Sequence, residues 1–380
     1  MNATTNGERD AFVEAVRKFS ARECGTREQR QALTEGGTST HSPAIATKLA
    51  ELGWLGLTIP EEYGGSGGGL VDACLFIEEM AYGRIPIPSY PVTLIVANSY
   101  RKFASEAIKH EVLGGVARGA VESIAMSEPG SGSDVASLTC RAERVKGGYR
   151  INGQKTWCSN AHHADHILVV VRTSSDGPKH EGITMLSVPS GTPGLKMNQI
   201  DTMGGREVND LYFADCFVGA DRLVGGEGQG WAQLIAGLNI ERVIIGALYL
   251  GIARRAFDDT LAYIKGREQF GKPIGKFQAL SHRIADLATE ITATELLVHD
   301  VARRADENPE QLLPREASMA KLKATELCKR ASLEGMQMMG GYGYATEYDM
   351  ESLVRASLVS TIVGGTSEVQ RDIIAKTYGL

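Results

Sequence analysis

Tyr149-Arg-Ile-Asn-Gly-Gln-Lys-Thr-Trp-Cys-Ser-Asn160 marks a change of grammar in the chain. Branched and aromatic residues lead into an Asn-Gly pair, the pairing that closes two-residue hairpins, so a turn is expected at Asn152-Gly153. Strand alternation beyond that turn places Trp157 and Ser159 on one face. Further strand-like runs follow at His166-Ile-Leu-Val-Val-Val171, Ile183-Thr-Met-Leu-Ser-Val188 and Leu211-Tyr-Phe-Ala-Asp-Cys-Phe-Val218. Together they predict a compact, antiparallel, barrel-like β-domain over residues 121–225.

On both sides of this segment the period is helical. Phe12, Val13, Val16 and Phe19, then Ala46, Leu49, Leu52 and Trp54, keep helical spacing within an N-terminal all-α domain, residues 1–120. The Gly-rich stretch Pro60–Gly69 interrupts it. From 226 to 380 long apolar-periodic segments near 229–265, 277–305, 315–340 and 350–378 predict a C-terminal four-helix bundle. The expected fold is therefore mainly α with a central β-domain.

Composition narrows the function. A net charge of −6 over 380 residues offers no footprint for nucleic acid. No uninterrupted apolar run approaches the ~20 residues of a membrane span, and the N-terminus resembles neither a signal nor a transit peptide, so no membrane span and a cytoplasmic location are expected. The six cysteines are scattered without a CxxC pair, as free thiols in a reducing compartment would be. His162, His163 and His166 with Asp165 superficially resemble a metal cluster, but no metal is expected.

Five segments carry candidate chemistry. Ala125-Met-Ser-Glu-Pro-Gly-Ser-Gly-Ser-Asp134 exposes backbone N–H groups and hydroxyls suited to a phosphate or a flavin edge, although a Gly/Ser surface loop has the same pattern. In Lys155-Thr-Trp-Cys-Ser-Asn160 an indole beside a hydroxyl suits an isoalloxazine; a core tryptophan also explains it. Arg267-Glu-Gln-Phe-Gly-Lys-Pro-Ile-Gly-Lys-Phe-Gln278 and Gln337-Met-Met-Gly-Gly-Tyr-Gly-Tyr344 bring Arg and amide groups into Gly-rich breaks between helices, where they can meet a pyrophosphate. Val363-Gly-Gly-Thr-Ser-Glu-Val-Gln-Arg371 is a loop leading into a hydroxyl-capped helix.

In this order and spacing the segments resemble the acyl-CoA dehydrogenase family, from Leu55-Gly-Leu-Thr-Ile-Pro-Glu-Glu-Tyr-Gly-Gly65 to the end of the chain. The resemblance implies FAD as cofactor. It implies that Ile124, Met126, Ser127, Gly132 and Ser133 line the flavin, with Ser127 near its pyrimidine edge and Ser133 also close to the CoA pyrophosphate. Trp157, Cys158 and Ser159 match the flavin-covering and N5-contacting stretch. Arg267, Gln269, Phe270, Gln278, Gln337 and Gly341 match positions that reach the FAD of a partner subunit; Thr366 and Glu368 match the remaining contacts. A homo-oligomer, most often a dimer of dimers, follows. So does an acyl-CoA substrate, oxidised to the trans-2-enoyl-CoA, with electrons passed to an electron-transfer flavoprotein. A reductase running in reverse, a carrier-protein thioester and a non-catalytic partner subunit remain alternatives.

One position departs from the pattern. Where most of the family has Glu-Gly-Thr, this chain has Gly364-Gly365-Thr366, and the following Ser367–Arg371 leaves no freedom of register. A minority branch carries its carboxylate on the first long C-terminal helix, before an arginine. Asn239-Ile-Glu-Arg242 matches that branch, which makes Glu241 the expected base and Arg242 a substrate-side arginine; Gly365 is the expected backbone contact to the substrate. Leu234, Leu238, Glu241, Ile245 and Leu248 form one helical stripe, so a carboxyl interrupts an apolar face. Desolvation there would raise its pKa. The alternatives are that Glu241 makes a buried ion pair or caps a polar gap, or that the chain has no base at all.

Overall fold

The computed structural model describes residues 6–380. Six helices come first: α1 (Asn6–Cys24), α2 (Arg27–Leu33), α3 (Pro43–Glu51), α4 (Leu70–Tyr82), α5 (Ser89–Phe103) and α6 (Glu106–Ala117). Strands follow: β1 (Glu122–Ala125), β2 (Arg141–Val145), β3 (Gly148–Ser159), β4 (His166–Arg172), β5 (Ile183–Pro189), β6 (Leu195–Thr202), β7 (Gly205–Gly219) and β8 (Leu223–Val224). Helix α7 (Gly230–Gly266) leads to a small hairpin, β9 (Glu268–Gln269) and β10 (Lys272–Pro273). The chain ends with α8 (Gln278–Glu307), α9 (Pro314–Met339), α10 (Gly341–Tyr344), α11 (Met350–Leu358) and α12 (Ser367–Lys376). The expected order, helices then a sheet then helices, is the observed one.

By packing, the residues fall into two compact units assembled from non-contiguous segments. One comprises 31–68 and 86–238. It holds a sheet of order β6-β7-β3-β2-β4-β5-β8, with β1 joined to β4. Most pairings are antiparallel, but β1–β4 and β2–β4 are parallel. Strand β4 explains the fold of this unit. Ile167, Val169 and Val171 enter one core cluster with Ile151, Leu186 and Phe213. Leu168 and Val170 enter the other, with Val96, Tyr100 and Leu113 of α5 and α6. A strand buried on both faces reads as an unbroken apolar run.

The hairpin expected at Asn152-Gly153 is not a turn. The turn falls one short loop earlier, at Lys146-Gly147, where Val145 pairs with Gly148 and Gly147 has φ +85°. Asn152-Gly153 instead lies inside β3 at a register shift against β7. A Cβ at position 153 would approach Cys140 Cα to 2.8 Å, so glycine here permits close passage of two backbones.

The other unit comprises residues up to Arg30, 69–85 and 239–380. Ala256 of α7, Met339 of α9, and Met350 and Leu353 of α11 share an apolar cluster. Glu78 and Glu79 of α4 are buried, and both pair with Arg254; Arg17 adds a 2.7 Å bond to Glu79. The fourth long helix expected over 350–378 is two helices, α11 and α12, separated by a turn. Gly364 and Gly365, at φ +63° and +82°, cannot continue a right-handed helix, and Thr366 then caps α12 by accepting from the N–H of Val369. Helix α7 is the one described helix long and apolar enough to cross a membrane, yet Val243, Ile244, Ala247, Leu250 and Ala253 on it are buried in protein.

Candidate active site

In the sheet-bearing unit, β1 delivers the Ile124–Ser133 segment to the end of the sheet. Glu128 and Ser131 exchange backbone hydrogen bonds of 2.9 and 3.0 Å, which closes a tight turn and leaves Gly132 and Ser133 exposed. Ile124, Met126 and Ser127 are half-buried. The turn is locked from below. Lys155, fully buried, donates to Glu128 Oε1 at 2.7 Å and to the Met126 carbonyl at 2.9 Å. Glu128 also accepts from the Thr139 N–H and hydroxyl and from the Cys140 N–H. Burial alone would push Glu128 up, but Lys155 and these amides hold it below its ordinary value.

The N–H of Thr156 donates to the Ser127 carbonyl at 2.9 Å, tying β3 to the same segment. Between Lys155 and Cys158 the β3–β7 register slips, and Trp157 takes φ +56°. This bulge turns the indole outward, where it is 58% exposed. Cys158 points the other way. Its thiol donates to the Ile124 carbonyl, and burial pushes its pKa to about 12. Ser159 is half-buried.

These residues fit FAD. A non-glycine residue at positive φ costs on the order of 1 kcal/mol or more, and an uncovered indole adds exposed apolar surface. A flat heteroaromatic ring over Trp157 would remove that surface from water, and the half-buried Ser127 and Ser159 supply hydroxyls.

In the helical unit, Arg267, Gln269, Phe270, Gln278, Gln337, Gly341 and Glu368 are all exposed. Phe270 is 92% exposed at the tip of the β9–β10 hairpin, with φ +55° followed by Gly271 at +77°. The Arg267 guanidinium lies 5.3 Å from the Tyr342 ring centre, which gathers the 267–278 and 337–344 segments at one end of the bundle. Residues that project so far from their own unit are available to a second molecule.

The same unit holds the carboxyl. Glu241 is half-buried on α7, and no hydrogen bond to its side chain occurs among the described residues. Burial raises its pKa, opposed by the charges of Arg242 and Lys321. An ion-pair partner at contact distance, the alternative for this carboxyl, is absent among the described residues. Arg242 is buried and donates to Asn239 Oδ1 at 3.1 Å, while its Nε has no partner. A Cβ built at Gly364 would stand 3.4 Å from Glu241 Oε1 and would collide with Ile245 Cδ1. The α11–α12 turn and the Glu241 side chain therefore converge on one volume.

Two residues of this site went unnamed at the level of sequence. Lys321 of α9 is fully buried and donates to the carbonyls of Ser360 and Gly365 at 3.1 and 2.9 Å. Gln370 of α12 donates to Gly364 and Gly365, both at 3.0 Å. Lys321 had a readable signal, since it interrupts the apolar stripe of Ala317, Ala320, Ala324 and Cys328. Gln370 had none. The histidines that superficially resemble a metal cluster have other partners: His166 lies between Glu111 (3.0 Å) and Glu122 (3.1 Å), whereas the His163 ring packs at a tilt against those of His162 and His41.

Comparison with known proteins covers nearly the whole chain. The acyl-CoA dehydrogenase N-terminal domain matches residues 6–120, the middle domain 123–216 and the C-terminal domain 228–379. Mitochondrial isovaleryl-CoA dehydrogenase of Arabidopsis thaliana is 33% identical over 371 residues, covering 96% of this chain and 90% of that relative. The crystal structure of acyl-CoA dehydrogenase from Geobacillus kaustophilus superposes with a TM-score of 0.93 at 32% identity, covering all of both chains. The FAD complex of PigA superposes with a TM-score of 0.90 at 26% identity, again over all of both chains.

Proposed function

The chain belongs to the acyl-CoA dehydrogenase family, and on that premise we propose that it oxidises the Cα–Cβ bond of an acyl-CoA with Glu241 as the base. Its cofactor is FAD, which when bound supplies the acceptor for the hydride leaving the β-carbon. Glu241 takes the α-proton. A backbone N–H of the Gly364-Gly365 turn donates to the thioester carbonyl and stabilises the negative charge that develops there. Arg242, buried with an unpartnered Nε, adds a fixed positive charge beside the base. A carboxyl raised above its ordinary range is a better-matched base near neutral pH than an exposed one.

The convergence at Gly364 carries this reading. In most of the family the carboxylate stands at the position of Gly364, and Glu241 Oε1 lies 3.4 Å from where the first side-chain atom there would be. The proton acceptor thus has a different helical origin and the same destination. The partner reading is an electron-transfer flavoprotein that reoxidises the enzyme, together with a homo-oligomer in which the exposed Arg267, Gln269, Phe270 and Gln337 reach a second subunit's FAD. The six cysteines, all buried thiols, support a reducing, cytoplasmic compartment.

Anaerobic mixing with a panel of straight, branched and ring-bearing acyl-CoAs, read as loss of the flavin's visible absorbance, tests the base. Glu241→Gln should keep FAD and slow flavin reduction by about 10³-fold or more. Near-normal bleaching would sink the assignment. Moving the carboxyl back, as E241G with G364E, should restore a measurable fraction of the rate only with Ile245→Val, because Ile245 Cδ1 fills the space required by the new Cβ.

A further inference from the structure

Arg254 and Arg255 of α7 are paired with carboxylates, the first with Glu78 and Glu79, the second with Asp259 at 2.8 Å and Asp349 at 3.3 Å. Arg267, just beyond the same helix, is not. Among the described residues no carboxylate or carbonyl takes its guanidinium, which instead meets the face of Tyr342 with Cζ 5.3 Å from the ring centre. A guanidinium held over a ring keeps its N–H fork for another acceptor, because the attraction comes from the ring face and uses no hydrogen bond.

Tyr342 is itself braced. Its ring centre lies 6.0 Å from that of Tyr263 on α7 and 5.4 Å from that of Tyr348, which follows α10. Tyr263 and Tyr348 meet edge to face at 6.3 Å. These two inner rings rest on the cluster of Ala256, Met339, Met350 and Leu353, whereas Tyr342 is 44% exposed. The backbone is fixed on both sides of the contact. Gly343 packs so close to α9 that a Cβ there would stand 2.7 Å from the Met336 carbonyl oxygen. The Arg267 N–H donates to the Tyr263 carbonyl at 2.9 Å and the Arg267 carbonyl accepts from Ile274 at 2.8 Å, which anchors the base of the β9–β10 hairpin. Three rings in mutual contact thus give one surface cation a footing in the core.

We propose that Tyr342 is a positioning residue for the cofactor: its ring, braced by Tyr263 and Tyr348, presents the Arg267 guanidinium, donors free, to the pyrophosphate of a neighbouring subunit's FAD. The proposal rests on the reading above that Arg267 reaches a second subunit's FAD. Arginine has many rotamers, and fixing one of them on a bound anion costs entropy; a guanidinium already held on a ring has lost much of that freedom beforehand. Its planar fork can then meet two phosphate oxygens at once.

The full-length protein, stripped of FAD and reloaded, tests this through FAD affinity, read by quenching of flavin fluorescence, with sedimentation recording the oligomer. Arg267→Gln should weaken FAD binding about 10-fold or more. Tyr342→Leu should weaken it about 3- to 5-fold, and Tyr342→Phe, which keeps the ring face, should stay within about 2-fold of the parent. In the Arg267→Gln background Tyr342→Leu should change nothing further, since the cation it positions is gone. A purely structural role would lower affinity with and without Arg267. Parental affinity in Tyr342→Leu, an undiminished loss in the Arg267→Gln background, or dissociation of the oligomer overturns the proposal. Tyr342→Gln takes the place of the leucine variant, with the same outcomes, should the latter not fold. If Arg267→Gln itself binds FAD like the parent, the shared-cofactor reading fails; if it loses affinity while Tyr342→Leu does not, only this inference fails.

Discussion

Two glutamates, each with a buried lysine nearby, meet opposite fates in this protein. Glu128 takes the Lys155 ammonium directly at 2.7 Å, accepts three further bonds and is held below the ordinary carboxylate range. Glu241 has Lys321 within electrostatic reach, but that lysine donates to backbone carbonyls, and burial drives the carboxyl upward. The first carboxylate is saturated and holds a loop. The second is left with unspent basicity, which a proton acceptor requires. Burial pushes both carboxyls upward; the donors pointed at Glu128 reverse that push, and Glu241 has none among the described residues.

The largest effect that would break the comparison lies on the Glu128 side. Lys155→Met strands a buried carboxylate, so a loss of about 3–5 kcal/mol in stability is expected, with FAD released as the Met126–Ser131 turn loosens. Thermal unfolding and bound flavin per chain measure both. An FAD-replete variant of parental stability would show that Glu128 does not depend on its lysine.

A second effect comes from histidines whose protonation is disfavoured by burial. The His163 ring packs at a tilt against those of His41 and His162, and burial lowers His41 and His162 to about 4. Since these groups take up protons more readily when unfolded, stability should fall as pH drops from 6.5 towards 4, by roughly 3 kcal/mol for the buried His41. Urea unfolding across that window should show the slope, and His41→Gln should flatten it.

The smallest effect sharpens the comparison at Glu241 itself. A carboxyl whose folded pKa is raised contributes most below its unfolded value and loses that contribution as pH rises through the folded one. Glu241→Gln should therefore match the parent in Tm at pH 4 and exceed it by about 1–2 °C at pH 8. An equal or lower Tm at pH 8 would mean that the ionised carboxylate is better solvated than its surroundings indicate.

Several elements were legible because their signals are local. The unbroken run of β4 and the periodic segments of α7, α8 and α9 read correctly, since burial on fixed faces imposes a period on the residues. Asn152-Gly153 misled, because the dipeptide that suits a turn also suits a bulge where two backbones pass closely, and the neighbour at Cys140 decides which forms. The helix expected over 350–378 broke for a reason already visible in Gly364-Gly365, which favour positive φ.

From sequence alone came the family resemblance, the cofactor and the absence of a side chain at Gly364, all of which rest on residue identity and spacing. Glu241 was named there as well, by a pattern and by its place on an apolar stripe. Tertiary structure alone decided that the α11–α12 turn and α7 bring a Cβ built at position 364 to 3.4 Å from that carboxylate, that Lys321 and Gln370 stand behind the turn, and that no donor among the described residues takes up the Glu241 carboxylate. Periodicity reports which face of a helix is buried. It does not report what lies opposite, and the basicity of a buried carboxyl depends on the donors that face it.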